Sequence, residues 1–366
     1  MTRVLIVSAD IGAGHDLPAA LLADGLRDLG AEVAVVDGLA AMGPLVAAVV
    51  RRGAETVLRR LAWLYEMQYW LVSTFTPTRW LAQVLGFGLG GRGLLELVRR
   101  RQPDVVVSTY PGTTEILGRL RASGRLAVPC VSAITDLAAL RYWAHHGIDL
   151  HLLIHEESRD EVAGIIGRRE GIRLVRGLVR PDYEHPPDRA VARAALGLDR
   201  RTPVVLISGG GWGVGDIHAA VLVVLERTGA TAVCLCGKNE ALRAQLRGRF
   251  GANARVLALG FTDRMCEWMV AANVLVHSTA GLTILEAQLC GTHAVSFGWG
   301  IGHIRVNNAA YRRFGLAHVA RDPAELAALL PALMRPRAID LDYGALPAAA
   351  DAVLGLIRSP GAVPER

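Results

Sequence analysis

Short runs of apolar residues recur along the chain, and helical segments fill the intervals between them. Within most runs the apolar residues follow one another instead of alternating with polar ones. This pattern is typical of strands in a parallel sheet that helices cover on both faces. The runs predict strands at Val4–Val7, Ala31–Val36, Asp104–Ser108, Cys130–Ile134, Leu150–Ile154 and Arg173–Val175, and then at Pro203–Ile207, Thr231–Leu235, Arg255–Leu259, Val274–Val276, Ala294–Phe297 and Ala317–Val319.

The strand rhythm stops and restarts near residues 180–200. The segment Arg180–Arg189 is rich in proline and charge, which is typical of a linker. We therefore predict an α/β protein of two Rossmann-like, doubly wound domains, at residues 1–185 and 186–345, facing each other across a cleft. A C-terminal helix and tail follow at 346–366. Ligands of such sheets bind at the carboxyl ends of the strands.

The stretch 274–308 brings polar groups to two successive strand ends. After the first strand comes the small-residue turn Ser278–Gly281, and a helix then carries Glu286. A helix N-terminus favours phosphate, and a carboxylate accepts hydrogen bonds from hydroxyl groups. After the second strand we predict a loop that carries Gly302, His303, Arg305 and Asn307. Phosphate donors beside this carboxylate indicate a sugar nucleotide.

Two further turns are rich in glycine. The first, Gly12–His15, invites a dinucleotide-binding interpretation, but Leu17 stands where the third glycine of that fingerprint belongs. His15 has an ordinary pKa near neutrality, so it could act as a general base, although it could also cap the helix. The second turn, Ser208–Asp216, exposes backbone N–H groups suited to phosphate but lacks the Gly-Lys-Ser/Thr of a P-loop.

Asp136 follows a predicted strand and is the first half's other candidate catalytic residue. It could orient His15 or bind the acceptor, and it could equally cap a helix. Residues 39–100 combine aromatic and arginine side chains, which suit either a membrane interface or an extra packed helical layer. The aromatic residues are Trp63, Tyr65, Tyr69, Trp70, Phe75, Trp80 and Phe87.

Composition narrows the possible partners. The net charge is +6 over 366 residues, and most basic residues form helix pairs, so we expect no nucleic-acid partner. Five cysteines without metal-ligand spacing indicate reduced core thiols. Asp340-Leu341-Asp342 lies away from any strand-end loop, so we predict no metal site. We also expect no secretory signal and no spanning segment, because no uninterrupted apolar run reaches about 18–20 residues.

With these residues in view, the chain resembles the GT-B glycosyltransferases related to monogalactosyldiacylglycerol synthase, processive diacylglycerol glucosyltransferases and the peptidoglycan N-acetylglucosaminyltransferase that acts on lipid I. The resemblance covers nearly the whole chain. The motifs that carry it are Gly12-Ala-Gly14-His15, Thr135-Asp136 with Trp143, Gly260–Met265, Leu282–Ala287 and Gly302–Asn307. The chain departs from the family at Ala280, at Thr292-His293 and at Ile304.

The resemblance implies an inverting transfer from a UDP-sugar, without a cofactor or tightly bound metal. His15 and Asp136 are then the catalytic candidates, and Gly14, Trp63, Trp70 and Trp143 the acceptor-binding ones. The predicted donor-binding residues are Gly210, Gly211, Trp212, Gly213, Phe261, Thr262, Met265, Ala280, Gly281, Leu282, Thr283, Glu286, Gly302, His303, Arg305 and Asn307.

The function expected from the sequence is the transfer of a hexose to a hydroxyl of a lipid or other hydrophobic acceptor. Such an enzyme would be cytoplasmic and bacterial, with peripheral contact to the inner face of the membrane. Two alternatives remain at this stage. One is a UDP-sugar 2-epimerase of the same fold, and the other is a non-catalytic subunit that binds sugar nucleotide or lipid.

Overall fold

The computed structural model describes residues 1–9, 13–44, 46–48, 62–213, 215–298, 300, 302–335 and 341–358, and it leaves the side chains of residues 13, 14, 62–66, 68 and 212 undescribed. The chain divides into two compact units. The first contains Met1–Val179, Ile301–His303 and Gly344–Arg366, and the second contains Arg180–Gly300 and Ile304–Tyr343.

The first unit is built on a six-stranded parallel sheet of order β2-β1-β3-β4-β5-β6. Its strands are β1 (Arg3–Ser8), β2 (Glu32–Asp37), β3 (Val105–Ser108), β4 (Cys130–Ile134), β5 (Leu150–Leu153) and β6 (Ile172–Leu174). Its helices are α1 (Ala13–Asp28), α2 (Gly38–Ala41), α3 (Ala62–Ser73), α4 (Thr76–Arg101), α5 (Pro111–Ala122), α6 (Arg159–Ile166) and α15 (Ala349–Arg358).

The second unit repeats this design with the sheet order β12-β11-β10-β7-β8-β9, again parallel throughout. Its strands are β7 (Val204–Ser208), β8 (Thr231–Leu235), β9 (Val256–Leu259), β10 (Val274–His277), β11 (His293–Phe297) and β12 (His318–Ala320). Its helices are α7 (Pro181–Glu184), α8 (Arg189–Ala195), α9 (Ile217–Arg227), α10 (Glu240–Phe250), α11 (Met265–Ala271), α12 (Thr283–Leu289), α13 (His303–Phe314) and α14 (Pro323–Leu333).

Each predicted strand corresponds to an observed strand, and the predicted doubly wound α/β class is confirmed. The central strands β3, β4, β7 and β10 are buried along their whole length. Both faces of such a strand contact helices, so continuous apolar runs are what the packing demands.

The segment Arg180–Arg189 is not the simple linker that we predicted. It contains α7, and the ring of Tyr183 is buried. The Arg180 guanidinium donates a hydrogen bond of 2.9 Å to the carbonyl oxygen of Asp263. Proline and charge therefore mark helix ends here, and the segment folds as part of the second unit.

Two helices begin earlier than we predicted. The helix α1 begins at Ala13, so Gly14 and His15 lie in its first turn and not in a preceding glycine turn. The helix α13 begins at His303, so His303, Arg305 and Asn307 are helical and do not form the predicted loop. Gly12 lies outside the described residues.

The helix α4 is long and apolar enough to cross a membrane by its length and composition. Its C-terminal half is nevertheless packed in the first unit, since Leu94, Leu95 and Val98 are buried. A Cβ on Gly93 would lie 2.0 Å from the carbonyl oxygen of Ala41, so this glycine permits close packing on α2. The interrupting charges are the reason the sequence predicted no span.

The C-terminal helix α15 packs against α1 of the first unit. A Cβ on Gly25 of α1 would lie 3.4 Å from the Cβ of Ala350. We predicted residues 346–366 as a helix and tail outside the two domains. Their helix is instead part of the first unit and buries side chains there.

Candidate functional site

His15 is held in a single tautomer by the backbone. Its Nδ1 lies 3.1 Å from the carbonyl oxygen of Thr109, which follows β3. A carbonyl oxygen only accepts hydrogen bonds, so Nδ1 carries the proton and Nε2 carries the lone pair. A histidine fixed in this way can accept a proton at Nε2.

The surroundings of His15 favour its neutral form. Burial lowers the pKa of His15 below its ordinary value, and the charge of Asp136 partly offsets this effect by raising it. The imidazole meets the ring of Tyr110 edge-on at 5.2 Å between centroids and the ring of Trp143 at 5.8 Å. The structure therefore brings the two predicted catalytic residues into one electrostatic neighbourhood.

Asp136 is fixed by the indole of Trp143, whose Nε1 donates a hydrogen bond of 2.9 Å to Oδ2. Only 1% of Trp143 is exposed. A buried ring has no surface for a lipid, so the prediction that Trp143 binds the acceptor directly is wrong for this structure. Its place is between Asp136 and His15, where it sets the position of both.

The turn after β3 supplies two residues that sequence reasoning missed, Thr109 and Tyr110. The buried hydroxyl of Ser108 donates to the carbonyl oxygen of Tyr110 at 2.9 Å and accepts from the hydroxyl of Thr114 at 2.8 Å. These bonds hold the turn that contains Thr109, whose carbonyl oxygen orients His15. The sequence could have indicated these two residues, because both directly follow a buried parallel strand, where ligands of such sheets bind.

The second unit has its own candidate centre, where the turns 208–216 and 278–281 lie against each other. Gly210 has φ +68°, and a Cβ on it would lie 2.9 Å from Cγ2 of Thr279. Gly215 has φ +101°, and a Cβ on it would lie 2.2 Å from Oγ of Ser278. Glycine is therefore required for this close approach as well as for its positive φ. The two turns that the sequence predicted as phosphate sites are neighbours.

Hydrogen bonds hold the turn 278–281 in place. The Ser278 hydroxyl donates to the carbonyl oxygen of Phe297 at 3.0 Å, and the Thr279 hydroxyl donates to the hydroxyl oxygen of Thr283 at 3.1 Å. The Tyr311 hydroxyl on α13 donates to the carbonyl oxygen of Gly281 at 3.4 Å. Thus neighbouring strands and helices position this turn before any ligand arrives.

His277 is a second residue that sequence reasoning missed. It ends β10, and its Nδ1 accepts a hydrogen bond from the backbone N–H of Thr279 at 3.3 Å. Burial lowers the pKa of His277 to about 4, so the ring is neutral near pH 7. Its position as the last strand residue before the turn was the available signal.

Glu286 lies one turn into α12 and is half-buried. Burial raises the pKa of its carboxyl to about 7, and the charge of Asp182 adds to this rise, whereas that of Arg180 opposes it. Near neutral pH the group therefore changes between a carboxylate, which only accepts hydrogen bonds, and a carboxyl group, which can also donate one.

The remaining predicted donor residues differ in exposure and local structure. Phe261 is exposed, and the Thr262 hydroxyl accepts from the backbone N–H of Arg264 at 3.1 Å. Met265 begins α11, Gly302 has φ +55° directly before α13, and Asn307 is fully buried. Residues whose side chains lie outside the described set are Trp63 and Trp212. Among the described residues, no group of three His, Cys, Asp or Glu side chains could hold a metal ion.

An exposed apolar face covers α3 and the N-terminal half of α4. We use the name apolar face for a set of six exposed side chains: Met67, Trp70, Phe75, Trp80, Leu81 and Leu85. Trp80 is 61% exposed and Trp70 is 49% exposed. Trp70 stacks on Phe75 with 5.2 Å between ring centroids. Exposed apolar side chains grouped on two packed helices in this way are typical of an interaction site.

The chain is similar to known proteins in both sequence and structure. The family model for monogalactosyldiacylglycerol (MGDG) synthase matches residues 15–171, which contain the His15 centre. The processive diacylglycerol beta-glucosyltransferase of Staphylococcus saprophyticus is 28% identical over 53% of this chain and 50% of its own length. Its counterpart from Bacillus subtilis is 24% identical over 81% of this chain and 77% of its own.

Among solved structures, MurG of Acinetobacter baumannii covers 98% of this chain and 100% of its own with a TM-score of 0.61 and 16% identity. The chain has the GT-B fold, and its sequence is similar to those of the processive diacylglycerol beta-glucosyltransferases. The resemblance predicted from its sequence motifs is thereby confirmed. The match to the first of these curated relatives spans about half, 50%, of that relative's length. The likeness to MurG shows the fold.

Proposed function

We propose that this protein is an inverting glycosyltransferase that moves a hexose from a UDP-sugar to a hydroxyl of a lipid or other hydrophobic acceptor. The observation that carries the proposal is His15, whose Nδ1 bonds to the Thr109 carbonyl and whose Nε2 is left as the base. The related diacylglycerol glucosyltransferases supply the class of reaction.

In the proposed reaction, Nε2 of His15 takes the proton of the acceptor hydroxyl. The acceptor oxygen attacks the anomeric carbon from the face opposite the leaving group, the bond from that carbon to the diphosphate oxygen breaks, and UDP leaves with the electron pair. The configuration at this carbon is inverted. Asp136 supports the imidazolium that forms, since its negative charge favours the protonated ring.

We assign donor binding to the second unit's paired turns and Glu286. Backbone N–H groups of the turns 208–216 and 278–281 would bind the diphosphate and stabilise the negative charge that grows as it leaves. The carboxylate of Glu286 would accept hydrogen bonds from the ribose hydroxyls. The UDP-sugar is a substrate, and the proposal invokes no further cofactor.

Acceptor transfer is tested by incubating the protein with a panel of UDP-sugars and a bacterial lipid extract, followed by mass spectrometry. We expect a lipid product heavier by one hexose and UDP release that depends on the acceptor. Elimination of UDP without any acceptor, with epimerised sugar, would instead indicate the 2-epimerase. UDP binding without turnover, unchanged by His15→Ala, would indicate a binding subunit.

The role of Asp136 can be separated from acceptor binding by the variant Asp136→Asn. Because the Asp136 charge raises the pKa of His15, removing it should lower that pKa and move the acidic limb of the kcat profile to lower pH. We expect a loss of about tenfold in kcat with the acceptor KM little changed. A rise in acceptor KM with an unmoved pH profile would assign Asp136 to acceptor binding.

We further propose that the apolar face contacts the membrane surface peripherally from the cytoplasmic side and presents the acceptor. The variant Trp70→Ala/Trp80→Ala should weaken binding to liposomes by about 10–100-fold, since each ring buries on the order of 60 Å² or more in the interface at about 25 cal/mol per Å². Flotation with liposomes measures this loss.

Phe314→Ala serves as the matched control, because Phe314 is also exposed but belongs to the second unit. We expect this control to bind liposomes as the unaltered protein does. Unchanged binding of the Trp70→Ala/Trp80→Ala variant would show that these rings do not enter the membrane.

A further inference from the structure

The first unit contains a polar pocket that the proposed reaction does not use. Its volume is about 210 Å³. It is lined by Arg79, Gln83, Glu115, Arg119, Arg141, Ala144, His145, His146 and Ile165. None of these residues belongs to the predicted catalytic, donor-binding or acceptor-binding sets. We call it the arginine pocket.

One of the three guanidinium groups in the arginine pocket is neutralised. Arg119 Nε donates to Glu115 Oε1 at 2.6 Å, one turn away on α5. Burial raises the pKa of Glu115, while its bond and charge interaction with Arg119 oppose this rise. The pair therefore adds no net charge to the pocket when the carboxylate is ionised.

The other two guanidinium groups have no acidic partner among the residues that the structure describes. Arg79 is within 3.5 Å of the carbonyl oxygen of Ser73, and Arg141 is exposed at the pocket mouth. Three arginines against one carboxylate leave a formal charge of +2 in the pocket. A pocket of this size and sign is suited to an anion.

The backbone holds His145 of the pocket in a single tautomer. His145 Nδ1 accepts from the backbone N–H of Gly147 at 3.0 Å, so Nε2 carries the proton. Burial and, to a lesser extent, the neighbouring His146, stacked at 4.3 Å, lower the pKa of His145 to about 3. Gly118 makes room for this ring, because a Cβ there would lie 2.5 Å from it.

We propose that the arginine pocket binds a phosphate group, carried either by a phospholipid headgroup or by a free phosphate ester. Planar guanidinium groups donate paired hydrogen bonds that match phosphate oxygens, and two of them here lack an acidic partner in the described chain. The pocket and the apolar face share the helix α4, where Arg79 of the pocket directly precedes Trp80 of the apolar face. A lipid whose chains meet the apolar face would thus have its phosphate near the pocket. This inference stands whether or not the protein transfers sugar.

The test compares two variants that each lose two positive charges from the first unit. Arg79→Gln/Arg141→Gln alters the pocket, and Arg99→Gln/Arg100→Gln alters exposed residues at the far end of α4. Each full-length protein is titrated with vesicles of phosphatidylcholine, with and without phosphatidylglycerol, and separately with soluble glycerol phosphate. Cosedimentation and the shift in melting temperature are the readouts.

We expect the pocket variant to lose at least about tenfold in affinity, since it removes charged hydrogen-bond donors to the phosphate, while the control loses less than about twofold. A loss confined to phosphatidylglycerol vesicles assigns the lipid headgroup, and a loss that includes glycerol phosphate assigns the free ester as well.

Equal losses in both variants would mean general surface charge and would overturn the proposal. So would unaltered binding by the pocket variant in both arms. Arg141→Gln alone, at an exposed position, should give a smaller loss in the same direction, and it serves as the test if the double variant fails to fold.

Discussion

Replacing His15 with alanine is expected to lower kcat for sugar transfer by about 10²–10⁴-fold, the usual contribution of a general base. The reason is geometric. Nδ1 is committed to the Thr109 carbonyl, so Nε2 is the site that can take the acceptor proton. Initial rates at saturating donor and acceptor measure the effect.

The matched control for this variant is His318→Ala. His318 is an exposed histidine of β12 in the second unit, and its loss should leave kcat within about twofold. Equal donor affinity in the unaltered and His15→Ala proteins, measured by UDP binding, would show that the variant is folded. Transfer by His15→Ala at the unaltered rate would remove His15 from the mechanism.

The pH profile gives an independent check. Burial lowers the pKa of His15, so the ring stays neutral at neutral pH and transfer should fall only as pH drops through that lowered value. We therefore expect the acidic limb of kcat/KM below the ordinary histidine range. An acidic limb above that range would contradict the assignment of this base.

The strands were predictable because burial on both faces leaves a local signal. Val105–Ser108 and Val204–Ser208 are buried throughout, so their composition reports their environment directly. The position of Glu286 in the first turn of α12, after β10 and the turn that follows it, was predictable from the same pattern. Its role at the ligand edge of the sheet stays a prediction.

Contacts distant in sequence were not predictable. The partner of His15, Thr109, lies 94 residues away, and no pattern near His15 indicates which nitrogen carries the proton. From the sequence, Trp143 resembles a ligand-binding ring. Only the folded structure shows that the ring is buried and that its N–H binds Asp136.

Helix starts were misjudged for a third reason. Proline between residues 180 and 189 and glycine around residue 302 suggest irregular chain, but tertiary contacts override that local preference. Tyr183 of α7 is buried, and the Tyr311 hydroxyl bonds to the turn 278–281, which fixes α13 close to that turn. Exposed polar composition alone cannot reveal such contacts.

The second large effect is expected at Glu286. Its replacement by glutamine should raise the UDP-sugar KM by about 10–100-fold, because a charged acceptor of hydrogen bonds is lost from the ribose site. We expect kcat at saturating donor to change much less, since the ribose contact is made equally before and during transfer. Glu226→Gln, at an exposed position of α9, is the matched control and should leave KM unchanged.

The pH dependence separates binding from mere structural support. The pKa of Glu286 is raised to about 7, so the carboxylate population grows as pH rises through neutrality. In the unaltered protein the donor KM should therefore fall between about pH 6 and about pH 8. In Glu286→Gln it should be flat over this window. The same pH slope in both proteins would place the titrating group elsewhere.

The stability of the folded protein should depend on pH in the direction opposite to donor binding, because proton binding and folding are linked. A carboxyl whose pKa is raised by folding binds more protons in the folded state, so its ionisation costs stability as pH rises from the ordinary carboxyl range to about 7. Glu286→Gln should therefore gain melting temperature relative to the unaltered protein at about pH 8 and little at about pH 5. If Glu286→Gln raises the donor KM and also raises the melting temperature at about pH 8, then Glu286 is retained for its ligand and not for the fold.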